Sequence, residues 1–327
     1  MEQTKKPMII LTGPTAVGKT DLSIQLAKQI GGAVISADSM QVYRYMDIGS
    51  AKITPEEMHG VRHYLIDDLL PTEEFNIVKF QEMAKIALRD IYADGLIPIV
   101  TGGTGFYIQA LLYDINFTAE NGDPAYRRSL EQFAEINGNH ALHEKLKEID
   151  PVSYESIHEN NVKRVIRALE FYHLSGVPIS SHNEEERKRS SPYNFAYFVL
   201  TDDRAHLYDR IDKRVNLMIQ AGLVEEVTRL KEMGCKKEMV SMQGLGYKEI
   251  FDYLEGKTTL DEAIYIIKRE TRHFAKRQLT WFRRERDVVW FDKSKYHYDD
   301  RLLLNDMLQY LQNKGVTNES VFREPVH

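Results

Sequence analysis

The chain has 327 residues, 43% of them apolar and 28% charged. At roughly 100–200 residues per domain this predicts two domains, or one large domain with an insert, and the apolar share excludes wholesale disorder. No apolar run approaches the ~20 residues of a bilayer span. The polar start at Met1–Met8 carries no secretory pattern, so a cytoplasmic location is expected. A single cysteine, Cys235, excludes an internal disulfide and a thiolate metal cage. The net charge of −6 conceals an asymmetry: Lys268–Arg286 holds eight basic residues against Glu270 and Glu285, leaving −12 for the remainder. A basic patch on an acidic protein predicts a polyanionic partner held at one place.

In chain order, Pro7–Thr12 reads as a short buried strand, and Gly13-Pro-Thr-Ala-Val-Gly-Lys-Thr20 follows it. The apolar period then changes to that of a helix, which stops at Gly31-Gly32. Ala33–Ser36 is a second strand, leading to Asp38. Phe75–Ala93 is an amphipathic helix, and Leu96–Val100 is a strand ending in Thr101-Gly-Gly-Thr-Gly105. This alternation predicts an α/β protein with a P-loop-type doubly wound parallel sheet, whose ligands gather at the strands' C-terminal ends. The core's first part spans 1–117, followed at about 118–192 by a helical insert with caps at Asp123-Pro124 and Asp150-Pro151 and a polar, charged segment at Asn183–Ser191. The core resumes over 193–312 with a strand at Phe195–Leu200 and helices at Arg204–Gly222, Leu223–Met233, Tyr247–Leu254 and Leu260–Arg286. A weakly structured, flexible tail is expected over 313–327.

The strongest chemical signal is Gly13, Pro14, Thr15, Ala16, Val17, Gly18, Lys19 and Thr20 between a strand and a helix, the P-loop arrangement. Its glycines allow backbone angles that aim successive N–H groups at one anion, at the positive end of the following helix. Lys19 adds a point charge, and the Thr20 hydroxyl is a candidate Mg²⁺ ligand. The loop predicts a di- or triphosphate without saying which molecule carries it.

Asp38, at the second strand's end, faces that loop across the crevice and suits a metal ligand, a general base or the cap of a short turn. Gly102–Gly105 brings small residues to the same rim. No Asn-Lys-x-Asp segment is present to read guanine, so the usual GTPase wiring is incomplete. In the C-terminal helix Arg272, Lys276 and Arg283 share one side with Trp281 and Phe282 adjoining, a pattern that suits RNA phosphates and unstacked bases as well as a solvated amphipathic helix. Lys163–Arg167 is a second short basic face.

Together these segments resemble the tRNA dimethylallyltransferases. The matching pieces are the loop ending at Thr20, Ile35–Ser39 with Gln41-Val-Tyr43, Met46–Lys52, Gly102–Tyr107, Arg164–Glu170, Arg214–Met218, Gly222–Val227, Gly246–Glu249 and Ala275–Gln278 with Trp281–Arg283. They occur in the family's order over roughly residues 8–290, with Ser50 where threonine is expected.

The resemblance implies transfer of a dimethylallyl group from dimethylallyl diphosphate to the exocyclic N6 amine of the adenosine 3′ of a tRNA anticodon. It implies Asp38 as general base, the P-loop with Mg²⁺ on the diphosphate, and Arg214 on the leaving group. Ser39, Met40, Gln41, Thr104, Arg127, Lys163, Arg164, Val165, Ile166 and Arg167, with Asp38, fall at positions that meet tRNA. Arg272, Lys276, Arg277, Trp281 and Arg283 are added from the basic helix. The insert is expected to clasp the anticodon stem-loop opposite that helix, and the enzyme to be a monomer with no membrane partner. A P-loop kinase for a small metabolite and an RNA-binding ATPase are the competing readings. The first leaves the insert and basic helix idle, and the second lacks a water-activating residue.

Overall fold

A computed structural model describes residues 5–117 and 123–317. Residues up to Leu112 together with those from Pro192 onward form one compact unit, and Tyr113–Ser191 forms a second.

The first unit opens with β1 (Lys6–Thr12), α1 (Lys19–Ile30), β2 (Gly32–Ser36) and β3 (His63–Tyr64). It continues with α2 (Ile77–Ala93), β4 (Ile97–Gly102) and α3 (Gly105–Leu112). The six strands form one parallel sheet in the order β3-β2-β4-β1-β5-β6, where β5 is Tyr193–Thr201 and β6 is Val288–Asp292. The first chain segment lies at the centre because Met8–Leu11 are wholly buried on both faces, as an inner parallel strand requires. Helix α1 ends where Gly31 takes a left-handed φ of 64° and its N–H returns to the Ala27 carbonyl.

The returning half carries α8 (Arg204–Gln220), α9 (Leu223–Glu232), α10 (Tyr247–Leu254), α11 (Leu260–Phe282) and α12 (Asp300–Asn313). A capping box starts α11: Thr259 accepts from the Glu262 N–H while Glu262 accepts from the Thr259 N–H. Its Phe282 is fully buried, which fixes the side that faces the protein. Strand β6, the two-residue β3 and α12 are additional to the elements expected from the sequence. Of the tail, 313–317 continue from α12 with Val316 and Thr317 buried, and 318–327 lie outside the described residues.

The second unit is helical: α4 (Pro124–Ile149), α5 (Pro151–Ser156), α6 (Val162–Ser175) and α7 (Ile179–Lys188). Asp123 and Asp150 cap α4 and α5 through their carboxylates, and α4 breaks at Gly138, where φ is 85°. The polar segment at 183–191 is mostly helix, because its glutamates, arginines and single lysine are good helix formers and Glu184 pairs with Lys188 at 2.7 Å. Leu130, Leu142, Leu146, Val165, Ile166 and Leu169 form the core of this unit.

Candidate active site at the strand ends

The loop between β1 and α1 is held in a shape that only certain residues allow. Gly13 has φ 150°, and a Cβ there would sit 2.6 Å from the Leu200 carbonyl of β5. Gly18 has φ 93°, and its missing side chain makes room for Lys293 Nζ, which would lie 3.0 Å from such a Cβ. Ala16 is left-handed at φ 65° without being glycine. Lys19 folds back to donate to the Gly13 and Pro14 carbonyls at 3.1 and 2.8 Å.

The ends of β1, β4 and β2 are stitched together beside it. Thr12 Oγ1 donates to the Gly102 carbonyl at 2.6 Å, the Ala37 N–H donates to the Thr101 carbonyl at 2.7 Å, and the Thr104 N–H donates to the Ala37 carbonyl at 3.3 Å. A Cβ on Gly102 would stand 2.4 Å from Ala37 backbone atoms, so this approach needs glycine. Asp38 emerges at that junction, and its Oδ1 accepts from the Met40 N–H at 2.8 Å. The turn-capping role is therefore real, and it occupies one carboxylate oxygen.

Lys19, Asp38 and Arg214 of α8 share an electrostatic neighbourhood. Burial first and the Arg214 charge second, opposed by Asp38, together pull Lys19 down to about 7. Burial likewise lowers Arg214, opposed by Asp38 and reinforced by Arg210. Two desolvated cations facing one carboxylate make a site suited to an anion bearing several charges. Lys19 in the free chain loses its proton as pH rises through about 7. An anion in the loop restores the charge, so binding takes up a proton and weakens as pH climbs above that value. Calorimetric titration with inorganic pyrophosphate between pH 6.5 and 8.5, in buffers of different ionisation enthalpy, is expected to show this uptake.

The expected RNA-facing residues divide. Gln41 is tied in place, accepting from Ser36 Oγ at 3.1 Å and donating to the Ala51 carbonyl at 3.3 Å. Ser39 and Met40 are partly exposed beside it, and Thr104 begins the turn into α3. Lys276, Arg277 and Arg283 are exposed on and just beyond α11, whereas Arg272 donates to Asp212 at 2.6 Å and serves the α8–α11 contact.

Trp281 corrects the expectation of a free stacking surface. It packs against Phe106 edge-on at 6.3 Å and fills the space over Gly105, with its indole Nε1 buried. In the second unit Lys163, Arg164 and Arg167 lie along α6, the first two exposed. Val165 and Ile166 are corrected too: they are 0% and 4% exposed, because their place on α6 turns their side chains into the unit's core. Arg127 forks onto the buried Glu170 through Nε at 3.0 Å and Nη2 at 2.5 Å.

Four side chains escaped the sequence analysis as parts of the site. Gln278 accepts from the Thr15 N–H at 2.9 Å and donates to the Gly103 carbonyl at 3.0 Å. Arg210 donates to the Ala16 carbonyl at 2.7 Å, and Lys293 beside Gly18 pairs with Asp300 at 2.8 Å. Glu226, 1% exposed, accepts from the consecutive N–H groups of Asp47, Ile48 and Gly49 and from the Tyr247 hydroxyl, which fixes the segment following Gln41.

A parallel sheet with this loop and these cations defines a P-loop enzyme. Comparison with known proteins is more specific. The family profile described as IPP transferase matches residues 41–285. A tRNA dimethylallyltransferase of Lachnoclostridium phytofermentans is 60% identical over 311 residues, covering 95% of this chain and 99% of that protein. The one from Acetivibrio thermocellus is 51% identical over 309 residues, covering 94% and 98%. The crystal structure of a tRNA isopentenylpyrophosphate transferase from Bacillus halodurans superposes with a TM-score of 0.71 at 44% identity, covering 95% of this chain and 98% of that one. A eukaryotic dimethylallyltransferase captured acting on tRNA gives 0.76 at 29% identity, covering 94% and 76%. The chain belongs to the tRNA dimethylallyltransferase family and is a prenyltransferase.

Proposed function

We propose that this enzyme transfers a dimethylallyl group from dimethylallyl diphosphate to the N6 amine of the adenosine 3′ of the anticodon in cytoplasmic tRNA, releasing diphosphate. The observation that carries the proposal is that Lys19 of the loop after β1 and Arg214 of α8 are both desolvated and both feel the charge of Asp38, which follows β2. The loop amides and the two cations bind the diphosphate and stabilise the charge that grows on it as the carbon–oxygen bond breaks. Adenine's N6 lone pair is delocalised into the ring, so the amine turns acidic only as its bond to carbon forms. Asp38 then removes its proton, through the oxygen that does not cap Met40.

Among the described residues no group of three or more His, Cys, Asp or Glu could hold a metal. The exposed hydroxyl of Thr20 at the start of α1 is an oxygen donor that would hold Mg²⁺ beside the loop, where the ion would supply charge neutralisation to the leaving group. The helical unit, taken by itself, carries Lys163, Arg164 and Arg167 for tRNA phosphates along α6. On the core unit Lys276, Arg277 and Arg283 are the cations for tRNA phosphates, and Ser39, Gln41 and Thr104 serve the target base. That base must leave the anticodon stack to be reached.

The test is a pair of anticodon stem-loops, one with adenosine at the target position and one with purine riboside, which lacks the exocyclic amine. Diphosphate release is expected only with the first. Equal release from both would reject N6 as the acceptor.

A further inference from the structure

The crest of the phosphate loop is clamped by a residue from the far end of the chain. Gln278 is 5% exposed, and both ends of its carboxamide bond to main chain 263 and 175 residues away. The two partners, Thr15 and Gly103, lie in the loops that follow β1 and β4, so one amide spans the two loops between which the substrates must meet. The fit is close: a Cβ on Gly103 would stand 2.0 Å from Gln278 Nε2. Trp281, one turn later on α11, closes over Gly105 in the same way, with a Cβ there 2.2 Å from its ring. On the loop's other flank Arg210 holds the carbonyl of Ala16, the residue in the unfavourable left-handed state. By taking the Thr15 N–H, Gln278 also decides which amides remain for an anion.

We propose that Gln278 is a positioning residue: it holds the phosphate loop in its diphosphate-binding shape and fixes that loop's distance from the Gly103–Thr104 turn. The inference rests on the reading of the loop as a diphosphate site and adds the element that pre-forms it. It separates the roles of α11, whose exposed Lys276 and Arg277 face outward while the buried Gln278 acts inward on the loop.

The test compares the wild type with Gln278→Met, which keeps the length and loses both bonds, and Gln278→Asn, which stays polar and is too short to span the two loops. Binding of inorganic pyrophosphate with Mg²⁺, binding of tRNA, and KM and kcat for dimethylallyl diphosphate are measured. Both variants are expected to bind pyrophosphate about tenfold or more weakly, the scale of one lost buried hydrogen bond, with a matching rise in KM and tRNA affinity within about threefold of wild type. A purely structural role would weaken both ligands together. Either folded variant binding pyrophosphate as tightly as the wild type overturns the proposal. Failure of the wild type to bind pyrophosphate sinks the diphosphate reading instead.

Discussion

Asp38→Asn is expected to lower prenyl transfer by about 10²–10⁴-fold, the usual contribution of a positioned general base. Asparagine keeps an oxygen at the position that accepts from the Met40 N–H at 2.8 Å, so the turn after β2 survives. What disappears is the proton acceptor for the amine and the negative charge that helps keep Lys19 protonated. Single-turnover transfer, thermal midpoint and tRNA affinity measured together separate the two roles of this side chain. Loss of transfer with the midpoint and affinity unchanged supports the base. Asp38→Ala removes the cap as well and is expected to add a loss of stability of about 1 kcal/mol. A transfer rate that tracks stability in both variants would return Asp38 to a capping role.

Arg214→Ala carries the second large effect. Removing one preorganised donor from a buried site of developing charge costs about 10²–10³-fold in kcat. Arg214→Lys is expected to recover only part of this, because an ammonium lacks the planar fork that meets two oxygens at once. A second signature accompanies the loss. The Arg214 charge is one of the forces that depress Lys19, so its removal moves the Lys19 titration upward from about 7. Pyrophosphate binding by Arg214→Ala should therefore begin to weaken at a higher pH than in the wild type, though it is weaker throughout. An unchanged pH profile would place Arg214 outside the Lys19 neighbourhood.

The anion loop was legible in the sequence because its demands are local. Gly13, Gly18, Lys19 and Thr20 must stand at fixed spacing between a strand and a helix, and the spacing is visible without any fold. Asp38 was legible by topology, since the end of a second parallel strand lies beside the end of the first. The clamps were not. Gln278 and Arg210 act on main-chain atoms 263 and 194 residues distant, and nothing in their own segments distinguishes them from other polar residues on an amphipathic helix. Glu226 reads as one of two acids in a helix's first turn, yet it is the carboxylate that gathers three successive amides.

Burial decided the remaining differences. In Lys163–Arg167 the basic residues catch the eye, while the helical period sends Val165 and Ile166 into the core. Trp281 carries the signature of an RNA-stacking aromatic, yet the small residues at Gly105 invite it inward. Strand β6 sits at the sheet edge with Trp290 exposed and Phe291 buried, and β3 has two residues, too few for either to show a period.

The central claim is that the P-loop, Arg214 and Asp38 serve prenyl transfer to an adenine amine. Its most direct test is nucleoside mass spectrometry of an anticodon stem-loop incubated with the enzyme, Mg²⁺ and isotopically labelled dimethylallyl diphosphate. The predicted result is one labelled N6-dimethylallyl adenosine immediately 3′ of the anticodon, formed with one diphosphate released and absent with Asp38→Asn. Label at another nucleoside, or undiminished labelling by Asp38→Asn, would contradict it.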